Sequence, residues 1–305
     1  MATFWEQIGN EIDILLDRKA TETNFNIGQQ TTYRTVAKCA LYVEINNEQE
    51  LLSVSSVSQK AEIKVVIIGN GSNLLISDNG FDGLVVGLGQ GFEGIEINET
   101  SVKAGAAVKL PVLARKTSSA GLTGFEWAVG VPGTVGGAIK MNAGGHGSDM
   151  NGSVKNAEII DLSNSQKSHL DLQKLEFGYR TSSIKPHQIV IQATLELHEG
   201  VKSESEAKMK EIVQWRLENQ PGGQNAGSVF TNPENGSAGQ LIEKTGSKGF
   251  RIGTAEISGK HANFIQVDPD GKAADVYALM EEVRRRVFEE FGIQLQIETK
   301  LVGFD

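Results

Sequence analysis

The 305-residue sequence has little cysteine, little histidine and no long apolar run, and each shortage excludes a class of protein. Its one cysteine, Cys39, excludes an intramolecular disulfide and any Cys-Cys zinc motif, and its five histidines show no metal-ligand spacing. No apolar stretch approaches the roughly 20 residues that a membrane helix requires. The N-terminal stretch is charged throughout and lacks the apolar core of a signal peptide. We therefore expect a soluble, cytoplasmic protein with no metal site and no membrane partner.

Basic residues are outnumbered as well, with 29 Lys and Arg against 38 Asp and Glu and a net charge of -9. Because binding to a phosphate backbone relies on a basic surface, this balance argues against nucleic acid as a partner. Glycine, by contrast, is abundant: 35 of 305 residues is about 11%, against an average of about 7%. Most of that excess lies between residues 69 and 147, where it predicts backbone conformations or close approaches that glycine allows.

Apolar periodicity predicts an α+β protein. We expect an N-terminal helix and then a strand containing Val36, Cys39, Leu41 and Val43. Helices are predicted over 109–120, with Pro111 in the first turn and Gly121 past the end, over 203–219 and over 274–292. In the last helix the spacing predicts a buried stripe of Val276, Leu279, Met280, Val283, Val287 and Phe291. Residues 292–303, GIQLQIETKLVG, alternate strictly and predict a C-terminal strand.

The segment VIIGNGSNLL (residues 66–75) runs from an apolar strand directly into glycines. A strand followed by Gly-x-Gly resembles the start of a dinucleotide fingerprint, but Leu74 stands where the third glycine is required, which disfavours a Rossmann fold. The continuation predicts more strand, with turns at Asn79-Gly80 and Asp82-Gly83. Successive small residues still leave backbone N–H groups available to an anion such as a pyrophosphate. A plain tight turn between strands is the alternative.

A second segment, AVGVPGTVGGAIKMNAGGHG (residues 128–147), contains seven glycines and almost no charge. It is too apolar for a solvated loop. Because glycine lets the backbone approach a ligand closely, two such segments in one chain indicate a long ligand lying across backbone. A densely packed series of turns is again the alternative.

Six segments, taken in order, resemble the UDP-N-acetylenolpyruvoylglucosamine reductase family: GNGSNLLISDNGFDGLVV, GFEWAVGVPGTVGGAIKMNAGGHG, FGYRTSSIK, NAGSVFTNP, AGQLIEKTGSKGFRIGTAEISGKHANFI and GIQLQIETKLVG. They span about residues 65–303. The first two are shared with flavoenzymes of the vanillyl-alcohol oxidase type, and the last four are specific to the reductases. The interval of 48 residues from Arg180 to Ser228 is short for members with a tyrosine-bearing insertion there, so the sequence resembles the shorter, second type.

The resemblance implies a fold, two cofactors and a reaction. It implies a two-part FAD-binding region of the vanillyl-alcohol oxidase (PCMH) type over 1–85 and 86–200, followed by an α+β substrate-binding domain over 201–305. It implies non-covalent FAD, NADPH as hydride donor, and reduction of UDP-N-acetylglucosamine enolpyruvate to UDP-N-acetylmuramate. These would place the chain in peptidoglycan synthesis, and so in cell wall biogenesis, cell shape and division. We expect a monomer whose partner is this small-molecule substrate.

Three residues match the catalytic positions of the family. Arg180 would bind the substrate carboxylate through its planar guanidinium; without the motif it would read as a surface arginine. Ser228 would donate a proton to the reduced substrate, which requires close positioning because serine is a poor acid; a capping serine is the alternative. Glu298 lies on the polar face of the alternating C-terminal segment and would polarise the enolate or assist the proton transfer; an exposed ion pair is the alternative.

The resemblance also assigns binding residues. The FAD pyrophosphate would lie on the loop 69–74 and the flavin near residues 133–147, so the cofactor residues are Gly69, Asn70, Gly71, Ser72, Asn73, Leu74, Pro132, Gly133, Gly136, Gly137, Ala138, Asn142 and Gly144. The substrate residues are Tyr179, Asn232, Lys260 and Lys300. His146 and His261 have weaker grounds, since a lone histidine is more often structural. In GKHANFI, alternation predicts that His261 and Asn263 face the same side.

The sequence departs from the family pattern at three places. Ala37-Lys38 stand where Gly-Gly is frequent, Thr231 stands where lysine is usual, and Lys300 stands where arginine is common. The first leaves the adenine-side contacts open. The other two leave the substrate phosphate and carboxylate contacts open, since lysine cannot reproduce a bidentate arginine.

Two other functions compete with the reductase. A flavin oxidase of the same fold, acting on an alcohol or aldonolactone, would share both glycine segments but has no reason to carry Ser228 and Glu298 in these contexts. A non-catalytic nucleotide-binding protein would keep an anion-binding loop while tolerating loss of Arg180, Ser228 and Glu298. The presence of all three residues therefore favours the reductase.

Overall fold

The structure, a computed structural model, describes residues 2–234 and 236–304 and divides into two compact units. The first unit comprises Met1–Thr23, Leu41–Asn70 and Gly83–Trp215. The second comprises Asn24–Ala40, Gly71–Asp82 and Arg216–Asp305. Each unit is therefore assembled from three separate stretches of chain. The three-part division predicted at residues 85 and 200 stays a prediction.

Seven α-helices occur in the described residues: α1 (Phe4–Leu15), α2 (Glu48–Lys60), α3 (Leu110–Ser119), α4 (Val135–Met141), α5 (Lys202–Asn219), α6 (Ala238–Lys244) and α7 (Ala273–Phe291). None of these helices, within residues 2–234 and 236–304, has the length and apolarity needed to cross a membrane. The strands are β1 (Thr21–Phe25), β2 (Cys39–Ile45), β3 (Val65–Ile68), β4 (Leu74–Ile76), β5 (Phe81–Leu88), β6 (Ile95–Asn98), β7 (Ser101–Gly105), β8 (Leu122–Thr123), β9 (Gly144–Gly145), β10 (Ser148–Asp149), β11 (Val154–Asp161), β12 (Gln166–Asp171), β13 (Gln188–Glu196), β14 (His198–Glu199), β15 (Arg251–Ile252), β16 (Ala255–Ile257), β17 (Ile265–Val267) and β18 (Lys300–Val302).

Two sheets carry the first unit. A four-stranded sheet in the order β1-β2-β5-β3 lies mainly in this unit, and its strands β3 and β5 run parallel. A five-stranded sheet in the order β12-β11-β13-β7-β6 is antiparallel throughout. Two apolar cores accompany these sheets: the larger contains Leu113, Phe125 and Ile139, and the other contains Ile12, Leu41 and Leu51. The second core also includes Ile160, Ile189 and Ile191 of β11 and β13, so both sheets contribute to it. Helix α4 packs on β13, which fixes the glycine-rich segment against the antiparallel sheet.

The second unit is built around α7. Val276, Leu279, Met280, Val283 and Val287 of the predicted stripe are all buried, Phe291 is partly buried, and Gly292 ends the helix in the left-handed conformation with φ 68°. Both carboxylate oxygens of Asp78 accept the first N–H groups of α7, from Ala273 (2.8 Å) and Ala274 (2.9 Å). The helix packs on the antiparallel sheet β15-β16-β17.

A buried carboxylate anchors α5 within the first unit. Glu126 is 2% exposed and accepts hydrogen bonds from Thr123 Oγ1 (2.6 Å), Ser205 Oγ (2.7 Å) and the Gly124 N–H (3.1 Å). Lys208 Nζ lies 3.3 Å from the same carboxylate. Burial acts to raise the pKa of Glu126, but these hydrogen bonds outweigh it and lower the pKa to about 2. The carboxylate is therefore ionised wherever the protein is folded near neutral pH.

The predicted helices are confirmed. Helix α1 begins with a capping box, in which Glu6 N–H donates to Thr3 Oγ1 (3.3 Å) and Thr3 N–H donates to Glu6 Oε2 (2.6 Å). Helix α3 has Pro111 in its first turn and is followed by Gly121 at φ 78°. Helix α5 covers the polar stretch predicted over 203–219.

Two local predictions were wrong, and one helix was not predicted. Val36 is 48% exposed and precedes β2, which begins only at Cys39. Asn79-Gly80 does form a turn, with the Gly80 N–H donating to Ser77 (2.8 Å), but Asp82-Gly83 lies inside β5. Helix α4 was missed, because its Val-Gly-Gly-Ala-Ile sequence has poor helix propensity and forms a helix only through packing.

The C-terminal strand is much shorter than predicted. Leu295 and Thr299 are buried while Gln294, Gln296 and Lys300 are exposed, so the alternation of faces holds in part. Only Lys300–Val302 forms a strand, however, paired in parallel with β4, and Ile297 makes an isolated antiparallel bridge to Phe230. The segment changes partner between these two pairings, and the bend at Thr299 is where it does so.

Candidate active site

The loop after β3 contacts the glycine-rich segment within the first unit. A Cβ on Gly69 would lie 2.5 Å from Thr134 Oγ1, so no larger residue fits without moving that threonine. Asn70 Nδ2 donates to the carbonyl oxygen of Pro132 at 3.0 Å. The two glycine-rich segments of the sequence are therefore neighbours, as a ligand lying across both requires.

The second half of the same loop belongs to the second unit, and its backbone is left-handed at Gly71 with φ 58°. A Cβ there would lie 2.4 Å from the carbonyl oxygen of Gln30, and the Gly71 carbonyl accepts the Thr32 N–H (3.1 Å). In the described part of the chain, the N–H groups of Gly71, Ser72 and Asn73 donate to no protein acceptor. Converging N–H groups of this kind can bind a diphosphate, so the loop is compatible with the FAD pyrophosphate site, whose assignment stays a prediction.

The glycines of the second segment differ in how much room surrounds them and in how exposed they are. A Cβ on Gly136 would lie 3.0 Å from Ala106 Cβ, and one on Gly144 would lie 2.6 Å from the Ser148 carbonyl oxygen, so both positions are closed by packing. Gly137 and Pro132 are exposed, and the carbonyl oxygen of Gly133 accepts the Leu110 N–H (2.9 Å).

Two predicted cofactor residues turn their side chains inward. Ala138 (3% exposed) belongs to the core and Asn142 (3% exposed) is enclosed by polar protein groups. The cofactor role assigned to these residues stays a prediction, and the exposed backbone of the segment offers the better contacts.

Arg180 sits in a strained turn of the first unit. Its backbone is left-handed with φ 58°, between Gly178 and Thr181, whose backbones hydrogen-bond to each other (3.1 and 3.3 Å). The guanidinium donates to the Gly144 carbonyl oxygen at 2.9 Å and lies 5.2 Å from the ring centre of the exposed Tyr179. Non-glycine residues rarely adopt this conformation, and such strain concentrates at functional sites.

Ser228 and Glu298 are brought together in the second unit although 70 residues separate them. The Glu298 N–H donates to the carbonyl oxygen of Val229 at 2.8 Å, and the bridge between Phe230 and Ile297 continues the pairing. Ser228 and Glu298 are both half-buried. The structure thus places a hydroxyl and a carboxylate on adjacent segments at a partly exposed surface.

Asn263 fixes the segment that carries Ser228. Its carbonyl oxygen accepts the Val229 N–H (2.8 Å), and its buried side chain pairs with both backbone groups of Phe230 (2.9 and 2.8 Å). Residues 261–264 form a turn and not the expected alternating strand. His261 is half-buried against Phe264, at 4.8 Å between ring centres, and burial lowers its pKa. Sequence reasoning missed this backbone-clamping role of Asn263, which no periodicity signals.

The end of the loop 69–74 reaches Glu298 as well. The Lys300 N–H donates to the Asn73 carbonyl oxygen (3.0 Å), and Asn73 Nδ2 donates to the Glu298 carbonyl oxygen (3.3 Å). Leu74 pairs with Lys300 in the parallel β4–β18 ladder. The second half of the loop (residues 71–74), Ser228 and Glu298 are therefore parts of one arrangement in the second unit.

The predicted substrate residues have the following places. Tyr179 and Lys300 are exposed, Lys260 Nζ donates to the Leu217 carbonyl oxygen, and Asn232 Oδ1 accepts the Ala238 N–H (3.0 Å) at the start of α6. His146, exposed, stacks edge-on to Trp215 (5.1 Å between ring centres). Their roles, like those of Arg180, Ser228 and Glu298, stay predictions. No group of three or more metal-ligating side chains occurs among residues 2–234 and 236–304.

The fold and the loop chemistry define an FAD-dependent oxidoreductase. A family model for an FAD-binding domain matches residues 39–164. A second model, for the C-terminal domain of UDP-N-acetylenolpyruvoylglucosamine reductase, matches residues 218–302.

Relatives of known name extend this agreement to nearly the whole chain. The UDP-N-acetylenolpyruvoylglucosamine reductase of Anoxybacillus flavithermus is 40% identical over 283 residues, 92% of this chain and 93% of the relative. That of Desulforamulus reducens is 37% identical over 99% of both chains. The crystal structure of the reductase from Thermus caldophilus superposes with a TM-score of 0.79 at 33% identity, over 92% of this chain and 98% of that one. The chain belongs to the UDP-N-acetylenolpyruvoylglucosamine reductase family.

Proposed function

We propose that the chain uses NADPH and non-covalently bound FAD to reduce UDP-N-acetylglucosamine enolpyruvate to UDP-N-acetylmuramate in peptidoglycan synthesis. The family membership supports the reaction class. The observation that carries the mechanism is the hydrogen bond between Glu298 and Val229, which holds Glu298 beside Ser228. FAD held by the N–H groups of Gly71, Ser72 and Asn73 would supply the hydride chemistry that links NADPH oxidation to reduction of the enol ether.

Arg180 binds the substrate carboxylate. Reduction at the terminal carbon leaves negative charge on the neighbouring carbon and its carboxylate, and a guanidinium stabilises such charge through paired hydrogen bonds. The strained turn and the bond to Gly144 restrict where the guanidinium can point. The guanidinium is therefore already oriented before substrate binds, so little conformational entropy is lost on binding.

Ser228 donates the proton and Glu298 supports the transfer. A hydroxyl is a weak acid, so protonation of the carbanionic carbon requires the donor within hydrogen-bond reach. Val229 and Phe230 are buried and held by Asn263, which fixes the backbone that carries Ser228. The Glu298 carboxylate, on the adjacent segment, polarises the reacting group or orients the serine hydroxyl.

Binding is divided among the remaining predicted residues. The N–H groups of Gly71, Ser72 and Asn73 hold the FAD pyrophosphate, and the exposed backbone around Gly137 faces the flavin. Tyr179, Asn232, Lys260 and Lys300 contact the UDP-sugar. Two of these, Asn232 and Lys260, already make protein hydrogen bonds, so their substrate contacts use the remaining donor capacity.

An anaerobic half-reaction experiment tests the proposal. Purified protein reconstituted with FAD is reduced with NADPH, UDP-N-acetylglucosamine enolpyruvate is added, and the visible spectrum is followed. Return of the oxidised flavin band supports the reductase. A flavin that reoxidises only when oxygen is admitted supports an oxidase of the same fold, and a protein that cannot be loaded with FAD overturns the proposal.

We further propose that the enzyme acts in the cytoplasm as a monomer. Its single cysteine, Cys39, excludes an intramolecular disulfide, as suits a reducing compartment. Light scattering coupled to size exclusion checks the monomer; a mass near twice 32.8 kDa would contradict it.

A further inference from the structure

The side chain of Asn142 is fully engaged inside the first unit. Its Oδ1 accepts the Asn151 N–H (3.0 Å), and its Nδ2 donates to Asp149 Oδ2 (3.1 Å) and to the Gly178 carbonyl oxygen (2.9 Å). A side-chain amide has two hydrogens to donate. Both are used within the protein, and the residue is buried, so the Asn142 side chain has no donor left for a cofactor.

One of these contacts reaches the turn of Arg180. Gly178 opens that turn through its backbone pairing with Thr181. At the other side of the turn, the Arg180 guanidinium donates to Gly144, two residues after Asn142. The Arg180 turn is therefore attached to the glycine-rich segment at two points, and Asn142 supplies the one that holds the turn's backbone.

The backbone of Asn142 fits this role. It ends α4 in the left-handed conformation, with φ 41° and ψ 55°, which asparagine tolerates better than other non-glycine residues. Glycine would adopt it with less strain but would provide no amide. An asparagine at this position supplies both the conformation and the three polar contacts.

We propose that Asn142 is a positioning residue, which sets the Arg180 turn against the glycine-rich segment, and that its side chain does not bind FAD. The proposal rests on the function proposed for Arg180. It changes the part assigned to Asn142 from cofactor contact to alignment of the arginine that binds the substrate carboxylate.

Two variants isolate the contact to Gly178. Asn142→Asp keeps the shape but turns a carboxylate oxygen toward both Asp149 and the Gly178 carbonyl. The double variant Asn142→Asp with Asp149→Asn restores a donor–acceptor pair between positions 142 and 149, and leaves the Gly178 carbonyl without its donor. Ser183→Ala is the matched control, because it removes a different hydrogen bond of the same loop, from Ser183 Oγ to Lys174 (2.6 Å).

The FAD-loaded proteins are compared by amide hydrogen exchange at Gly178 and Thr181 and by the two flavin half-reactions. We expect exchange at these amides to be at least about tenfold faster in both Asn142 variants than in wild type or Ser183→Ala. Reoxidation by the enolpyruvyl substrate should fall about 10- to 100-fold, with a raised KM. In the double variant, FAD content and reduction by NADPH should remain near wild type.

The inference is overturned by unchanged exchange at Gly178 and Thr181 in both variants, or by full recovery of substrate reoxidation in the double variant. Equal loss of both half-reactions would show a merely structural role and would also overturn it. The exchange measurement is independent of turnover. A wild-type enzyme that NADPH reduces but the substrate does not reoxidise would defeat the proposed function, while exchange would still decide the role of Asn142.

Discussion

The backbone N–H of Glu298 donates to the carbonyl oxygen of Val229 at 2.8 Å, so the residue that follows Ser228 is bonded directly to Glu298. This pairing couples the positions of the serine and the glutamate, because a shift of one segment displaces the other. Substitutions in the pair should consequently affect the same step of the reaction.

Ser228→Ala should leave flavin reduction by NADPH near wild type and slow reoxidation by the enolpyruvyl substrate by about 10²- to 10⁴-fold, the usual contribution of a general acid. Stopped-flow absorbance of the two half-reactions measures both. Ser203→Ala, at an exposed position of α5, is the control. Equal losses in the two half-reactions would argue against proton donation.

Glu298→Gln should affect the same half-reaction, because the amide keeps the shape but removes the charge that assists the proton transfer. We expect a loss of at least about tenfold in reoxidation rate, by analogy with other acid–base groups. The exposed Glu290→Gln in α7 is the matched control. Turnover near wild type would return Glu298 to the surface ion-pair interpretation.

Glu126→Gln should reduce stability in a pH-dependent manner. Its folded pKa of about 2 lies below the ordinary value of 4.5, so its contribution is complete above about pH 4.5 and is lost as the pH falls toward 2. A shift of this size corresponds to about 3 kcal/mol at pH 7, as an order of magnitude.

Urea unfolding of wild type and Glu126→Gln at pH 7 and pH 3 measures this contribution. The difference in free energy of unfolding should be less than half as large at pH 3. Glu204→Gln, exposed on α5, should change little at either pH. A difference that is the same at both pH values would show that lost packing, and not ionisation, accounts for the effect.

Gly71→Ala should reduce FAD binding more than Gly69→Ala. At position 71 the added methyl meets the Gln30 carbonyl oxygen at 2.4 Å with φ 58°, and backbone cannot move aside. At position 69 it meets a side chain, Thr134 Oγ1 at 2.5 Å, which Thr134→Ala removes.

Flavin absorbance per chain and thermal melting with and without FAD test this ranking. We expect Gly71→Ala to lower the free energy of unfolding by about 1–3 kcal/mol. The double variant Gly69→Ala with Thr134→Ala should recover FAD binding. Gly94→Ala, where the added carbon meets nothing within 4 Å, is the control. The proposed packing would be contradicted if the double variant did not recover FAD binding, or if Gly69→Ala bound less FAD than Gly71→Ala.

Helices with a clear apolar stripe were predictable from sequence, as α7 demonstrates, because its buried residues recur at the helical period. Helix α4 was not, since its sequence resembles a turn and its packing on β13 supplies the stability. The length of the C-terminal strand was predicted wrongly for another reason. Alternation records which face is buried, but not that the segment pairs first with Phe230 and then with β4.

The candidate site was predictable only as separate motifs. The glycine loop could be recognised from its chemistry, and Arg180, Ser228 and Glu298 came from the family resemblance. The hydrogen bond that joins Glu298 to Val229 depends on tertiary pairing over 69 residues, which no local pattern encodes. The clamps made by Asn263 and Asn142 were missed because a buried asparagine has no distinctive spacing.

The parallel pairing of β4 with β18 also has a consequence for synthesis of the chain. Leu74 leaves the ribosome 226 residues before its partner Lys300, and at about 5–20 residues per second that interval lasts tens of seconds. Throughout it, β4 has an unpaired edge and Asp78 has no helix to cap. The glycine loop next to β4 can reach its final form only after Lys300–Val302 have been made, so cofactor loading is expected to follow synthesis of β18.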